Sequence, residues 1–291
     1  MSTESLKPLS DFAQNTYSQT GEDGILAECL SRISKTTELD KWCVEFGAWD
    51  GVHLSNTCRL IREDGYSAVL VEGNEQRFRE QQQNLPEDRV LKFLRWVSLS
   101  GEGRLETILA ETPIPHDFDF LSIDIDGCDW HIWNSIEAYR PKVVCIEFNP
   151  TIPNCLPYVQ PADFEVKHGN GPRALCDLAG KKGYVLATVT GANLIFVEAS
   201  LADAVLGSAR PTLDELRPEE GYVSYVFAGY NGEVVSTGPV NLFWHHLKLG
   251  PNRMRVLPKS LCTYPDDYTP WQRIRYKLRR ELWRARYGKS G

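Results

Sequence analysis

The sequence has no CxxC pair, no His/Cys cluster at zinc spacing, no GxGxxG turn and no long hydrophobic run. Each absence excludes something. Eight scattered cysteines in 291 residues read as reduced, mostly buried thiols, not as a disulfide framework or a zinc module. The uncharged stretch Gly183–Val197 is too short for a bilayer and is interrupted by Thr, Gly and Asn, which excludes a transmembrane helix. The first twenty residues are polar, with no basic-then-apolar start, so no secretory leader is expected. Together these features predict a cytoplasmic protein.

What is present bounds the fold. Hydrophobic residues make up 42% and charged residues 24%, enough to bury a core in one large domain or one domain with an appendage. The net charge of −7 is unevenly spread: Trp271–Gly291 carries eight basic residues and one acid. The acidic remainder argues against a nucleic-acid binder, whose basic footprint should lie on the folded face.

Apolar runs alternate with helix-compatible segments. Trp42–Phe46, Ser67–Val71, Val90–Val97, Phe118–Ile125 and Lys142–Phe148 read as strands. Asp23–Ser34, Arg59–Glu63, Glu75–Asn84, Gly103–Ala110, Trp130–Ala138 and Arg173–Lys182 read as helices. Such alternation predicts an α/β fold with a parallel sheet covered on both faces. Tyr184–Thr190 and Leu194–Val197 read as an antiparallel hairpin at the sheet edge, and Tyr222–Gly229 with Glu233–Thr237 as a second hairpin. Trp244, His245 and His246 read as part of a strand, and Pro251, Pro258, Pro265 and Pro270 as breaks. The expected division is 1–205 for the sheet domain with a helical lead-in, 206–270 for an accessory hairpin and loop region packed on it, and 271–291 for a basic amphipathic helix.

Chemistry is expected at the carboxyl ends of the strands, where doubly wound sheets bind ligands. Gly47 and Gly51 follow the first strand and allow a tight turn close to a ligand. Glu72 ends the second strand, where an acid can accept hydrogen bonds from both ribose hydroxyls. The alternatives are a plain tight turn and a solvated strand-end glutamate.

VEFGAWDG, VLVEGN, FLSIDIDGCDW and VVCIEFNP, in this order, resemble class I S-adenosylmethionine-dependent methyltransferases, and more narrowly the FkbM-type family. Tyr17–Asp23 and the late LFWHHLK share the resemblance, which covers roughly residues 15–262. It implies a Rossmann-like, seven-stranded, mostly parallel sheet with the last strand antiparallel. It implies S-adenosylmethionine as cofactor, with Gly47 and Gly51 at its methionine end and Glu72 on its ribose. Asn74 and Trp96 would lie near the adenine, and Glu45 and Asp124 beside the cofactor. The family often carries Asp where Glu45 stands, which leaves the reach of this carboxylate open.

Asp124, Asp126, Asp129, Glu147 and Asn149 crowd the fourth and fifth strand ends. Unpaired carboxylates there would repel one another, and Mg²⁺ or another divalent cation held by Asp124, Asp126, Glu147 and Asn149 would relieve this and engage a substrate hydroxyl. Alternatively Asp124 touches the cofactor, Asp126 bonds turn amides and Asn149 caps a loop. An alcohol must lose a proton on methylation. His131 and Asp124 are the candidate catalytic residues, with His131 as base and His168 as a second choice. Trp49, Trp130 and Trp133 stand near the expected cleft, core packing being the default for Trp133.

In the tail, Trp271, Ile274, Leu278, Leu282 and Ala285 fall on one helical stripe among basic residues. The stripe would dock on the chain's own body, pair with a second copy as a homodimer, or lie on an anionic membrane surface at the inner face. The expected activity is O-methylation of a small-molecule or glycan acceptor: a sugar, glycolipid or secondary-metabolite hydroxyl. The alternatives are a non-catalytic nucleoside-binding recruitment module and a nicotinamide-dependent dehydrogenase, the latter disfavoured by the missing GxGxxG.

Overall fold

Short runs rich in β-branched and aromatic residues form the strands. In the computed structural model, which describes residues 6–219, 222–238, 240–250 and 254–287, seven of them make one sheet. They are β1 (Trp42–Phe46), β2 (Ser67–Glu72), β3 (Val90–Leu94), β4 (Phe120–Ile123), β5 (Val143–Glu147), β6 (Tyr184–Val189) and β7 (Asn193–Glu198). Their order is β3-β2-β1-β4-β5-β7-β6. Only β7 is reversed, running antiparallel to both β5 and β6. This is the seven-stranded, mostly parallel Rossmann-like sheet that the resemblance implies. The hairpin folds back so that β7, buried on both faces, lies inside the sheet and β6 takes the edge.

Side chains alternate between two apolar layers. On one face, α1 (Glu22–Ser34), α2 (Cys58–Arg62) and α7 (Ala202–Leu206) bring Ile25, Leu30, Ile61 and Val205 against Cys43, Leu70, Phe120 and Ile195. On the other, α4 (Leu105–Leu109), α5 (Asp129–Ser135), α6 (Pro172–Lys182) and α8 (Leu213–Leu216) bring Leu105, Trp133, Leu175 and Leu213 against Val44, Val69, Leu121 and Phe196. The remaining helix of this region, α3 (Glu75–Asn84), is polar and buries only Gln81. All eight cysteines are free, and five are buried.

The chain divides into two compact units, one ending at Pro218 and one beginning at Glu219. Residues 206–218, grouped with the accessory region by the sequence reading, fold with the first unit, where Leu213 joins the core. The second unit holds the hairpin β8 (Tyr225–Ala228) and β9 (Val234–Thr237), the short pair β10 (Asn241–Leu242) and β11 (Leu247–Lys248), and α9 (Pro270–Tyr287). His245 and His246 lie in the tight turn between β10 and β11, not in a strand; His246 has φ +53°. Pro251 and residues 288–291 of the basic tail lie outside the described residues. Among those residues, no helix is long and apolar enough to cross a membrane.

Candidate active site

Strand register builds the site. Glu72 pairs with Leu94, and Glu147 pairs with Asn193. One step past Phe46↔Val71, Phe46↔Ile123 and Ile123↔Ile146, the same register aligns Gly47 with Glu72, Gly47 with Asp124, and Asp124 with Glu147. A single line across six strands therefore reads Leu94, Glu72, Gly47, Asp124, Glu147, Asn193. Its members share the strand parity of Cys43, Leu70 and Phe120, on the face covered by α1. Three carboxylates and an amide thus meet at the carboxyl edge of the sheet.

Gly47 makes this crowding feasible. It has φ +74°, and a Cβ there would overlap the carbonyl oxygen of Asp124. The loop it opens is tied down on both sides. Glu45, buried beneath, accepts the Ser55 hydroxyl (2.6 Å), the Thr57 hydroxyl (2.7 Å) and the Asn56 N–H (2.9 Å). Burial raises the Glu45 pKa, and these bonds oppose the rise. Its carboxylate therefore shapes the loop rather than standing open to a ligand. From α3, Gln81 and Asn84 donate to the carbonyls of Trp49 (3.4 Å) and Asp50 (3.0 Å). Gly51, φ +79°, completes the turn, and Trp49 is exposed with the Arg77 guanidinium 4.1 Å from its ring centre.

Glu72 accepts the Asn74 N–H at 2.7 Å through one oxygen. Its other oxygen takes no hydrogen bond from the described residues, in a side chain that is otherwise buried. Asn74 is the N-cap of α3: its side-chain oxygen accepts the N–H groups of Gln76 (3.0 Å) and Arg77 (3.1 Å). That oxygen is already used, which leaves only its amide nitrogen to face a base. The Trp96 indole closes on Gly73, where any Cβ would overlap it, and is 74% exposed. A large aromatic face beside an available carboxylate suits a nucleoside.

The fourth and fifth strand ends carry the strongest electrostatics. Asp124 and Glu147 hydrogen-bond to each other. Burial, then the charges of Asp129, Asp126 and Glu45, push the Asp124 carboxyl up to about 7; burial and the same cluster raise Glu147 further. Asp126 adopts φ +55°, and one carboxylate oxygen from each of Asp124, Asp126 and Glu147 lies within 4.8 Å of the others. Asp129 is the structural member: fully buried, it accepts the N–H groups of Ile125 (2.8 Å) and Gly127 (2.9 Å) and so fixes the turn. Asn149 is occupied elsewhere. Its oxygen accepts the N–H and hydroxyl of Thr151 (2.8 and 2.7 Å), and its amide donates to the His168 carbonyl (2.8 Å).

The histidines are also engaged. His131 donates through Nε2 to the Gln160 carbonyl at 2.8 Å, which fixes its tautomer and leaves Nδ1 as acceptor. His168 meets the Tyr158 hydroxyl through Nδ1 at 2.7 Å. Trp130 is half-buried and donates to the Ala174 carbonyl (3.2 Å), while Trp133 is core, packed on Tyr184 and Phe196.

Sequence reasoning missed the far wall. Glu22, fully buried, accepts Thr20 N–H (2.7 Å), the Thr190 hydroxyl (2.6 Å) and the Asn193 amide (3.0 Å), fastening the N-terminal lead-in to the β6–β7 hairpin. Burial opposes its charge, but these bonds outweigh it and hold the carboxyl below its ordinary range. The Asn193 oxygen is buried without a partner beside Glu147. The signal was the Tyr17–Asp23 motif, whose physical role is invisible without its partners.

No protein-family model and no curated protein matches the chain. Among solved structures it is similar to a TehB-like S-adenosylmethionine-dependent methyltransferase from Corynebacterium glutamicum, at 11% identity over 59% of this chain and 87% of that one, TM-score 0.35. A second is an S-adenosylmethionine-dependent methyltransferase from Methanosarcina mazei, at 12% identity over 57% and 96%, TM-score 0.37. A third, OxaC in complex with S-adenosylhomocysteine and oxaline, has 11% identity over 62% of this chain; the chain spans about half (48%) of its length, TM-score 0.39. Likeness at this level leaves function to be read from the chain's own side chains.

Proposed function

We propose that the chain is a class I S-adenosylmethionine-dependent methyltransferase of the FkbM type that methylates a hydroxyl of a sugar, glycolipid or secondary metabolite. The observation that carries this is Glu72: a strand-end carboxylate with one oxygen committed to Asn74 and the other without a hydrogen-bond partner among the described residues, next to the Gly47 turn. Such a group suits the two hydroxyls of a ribose. Trp96 would flank the base, and the 47–51 turn would take the methionine end. What the cofactor supplies when bound is an electrophilic methyl group on a sulfonium. The protein's task is then to align the acceptor, exclude water and take a proton.

For that last task we favour the Asp124–Glu147 pair over His131. The pair stands next to Gly47 on the register line, whereas His131 spends Nε2 on a backbone carbonyl. A second reading rests on the three clustered carboxylate oxygens. Asp124, Asp126 and Glu147 are hard oxygen donors and would suit a divalent cation, which would orient and acidify the acceptor hydroxyl. Asn149 does not belong to that set, because its oxygen is already shared by Thr151.

Calorimetric titration with S-adenosylhomocysteine against NAD separates this proposal from a dehydrogenase; binding of NAD alone overturns it. Product formation across a panel of hydroxylated acceptors separates it from a non-catalytic nucleoside-binding module. Chelation with EDTA tests the cation: lost turnover with intact cofactor binding supports it, and full activity in EDTA removes it.

A further inference from the structure

We propose that α9 is a peripheral docking helix that lies along an anionic lipid bilayer surface. This inference is independent of the methyl-transfer proposal. The helix spans eighteen residues, Pro270–Tyr287, and none of them is buried. Trp271, Ile274, Leu278 and Leu282 are 76%, 52%, 63% and 71% exposed. At 3.6 residues per turn they fall, with Ala285, within an arc of about 80°. Large apolar side chains gathered on one face and left in water call for a covering surface.

The stripe is not the side by which the helix packs in its own unit. Tyr276, on the opposite face, meets Tyr268 with ring centres 5.5 Å apart. Gln272 donates to the Ser260 carbonyl (2.9 Å), Arg273 to the Tyr268 carbonyl (3.0 Å) and Arg279 to the Val256 carbonyl (3.1 Å). The helix is therefore anchored from behind, with its apolar stripe turned away from those anchors.

Charge chooses the occupant. The helix carries seven Arg and Lys residues and one acid, Glu281. Arg275 and Arg286 run along one border of the stripe, where their long stems can lie beside acyl chains while the guanidinium groups reach headgroup phosphates. Antiparallel pairing with a second copy along this stripe would set those arginines against identical ones. Nucleic acid would answer the charge but leave Trp271, Leu278 and Leu282 in water. An anionic bilayer answers both, since it offers apolar depth beneath a negative surface.

The test is flotation of the full-length protein with vesicles of phosphatidylcholine alone and of an equal mixture with phosphatidylglycerol. Binding to the mixed vesicles should be at least about tenfold stronger and should weaken steeply with added salt. Leu278→Glu with Leu282→Glu should abolish it. Arg275→Gln, Lys277→Gln and Arg286→Gln together, which spare the anchoring contacts, should reduce it about tenfold or more. Circular dichroism establishes that each variant is folded. Absence of binding to anionic vesicles, or binding untouched by the two leucine changes, overturns the proposal. So does a dimer in light scattering that Leu278→Glu converts to monomer, which would assign the stripe to a second copy.

Discussion

Asp124 and Glu147 stand side by side at the ends of β4 and β5 and hydrogen-bond to each other, with Asp126 and Asp129 adding negative charge around them. Two neighbouring carboxyls in such a field hold a proton between them well above the pH at which either would ionise alone.

The first prediction concerns that proton. The folded-state pKa of each group is raised, so the stability it contributes is full below the ordinary carboxylate range and is lost as pH rises through the folded value. For Asp124 this window runs from 3.8 to about 7. Melting temperature should fall across it, and Glu147→Gln should flatten the fall. If the pair accepts the acceptor's proton, turnover should rise with pH toward neutrality, and Glu147→Gln should lower it by about a hundredfold or more. A variant with unchanged turnover removes Glu147 from the chemistry.

Cofactor affinity tests Glu72. Among the described residues, its side chain is hydrogen-bonded only by the Asn74 N–H. Glu72→Ala should therefore leave the circular dichroism spectrum intact while weakening S-adenosylhomocysteine about tenfold or more, the worth of hydrogen bonds to a charged group. Equal affinity in calorimetry would separate Glu72 from the ribose.

Two glycines with the same φ of +74° provide a matched comparison. Gly65→Ala meets open space and should cost about 1–2 kcal/mol, the strain of the left-handed region alone. Gly47→Ala also drives a methyl group into the Asp124 carbonyl and should cost at least about twice that. Chemical denaturation of both variants measures the difference; equal losses would mean that the β1 and β4 ends are further apart than described.

Glu22 should report on acid. Its folded-state pKa is lowered, so its stabilisation is present above the ordinary carboxylate range and lost as pH falls through the folded value. Glu22→Ala, which strips partners from Thr190 and Asn193, should cost about 2–4 kcal/mol at neutral pH. Hydrogen exchange of the Thr16–Thr20 amides should accelerate in the same variant. Unaltered exchange would mean that Asp23, which accepts the N–H groups of Thr16, Tyr17 and Ser18, holds the lead-in alone.

Local pattern carried most of the fold. The runs at Trp42, Ser67 and Lys142 could be read as strands because each is short, apolar and bounded by turn residues. The carboxyl end of such a run is where a ligand is expected, so Gly47 and Glu72 fall just after the runs at Trp42 and Ser67, whereas Asp124 falls inside the run Phe118–Ile125 and comes after a strand only once β4 is seen to end at Ile123. Roles set by distant partners could not be read this way. Glu45 looks like a ligand-facing acid until Ser55, Asn56 and Thr57 close over it. Asn74 carried a readable clue, an asparagine just ahead of a helical run, which marks a cap. His131 and Asn149 are engaged through Nε2 and Oδ1 by groups of Gln160 and Thr151 that no periodicity announces. The placement of β7 between β5 and β6 likewise depends on which strand is better covered, a property of the whole sheet.

The Glu22–Asn193 bond joins residues 171 positions apart. During synthesis the carboxylate leaves the ribosome long before the amide that will receive it, so the lead-in must wait, solvated, for the final hairpin. A nascent chain halted before β7 would own most of its helices and six strands yet lack the Asn193 half of that clamp. Completion of the row of strand-end side chains is thus timed to the end of the sheet's translation, and no half-made chain should present all six of its members.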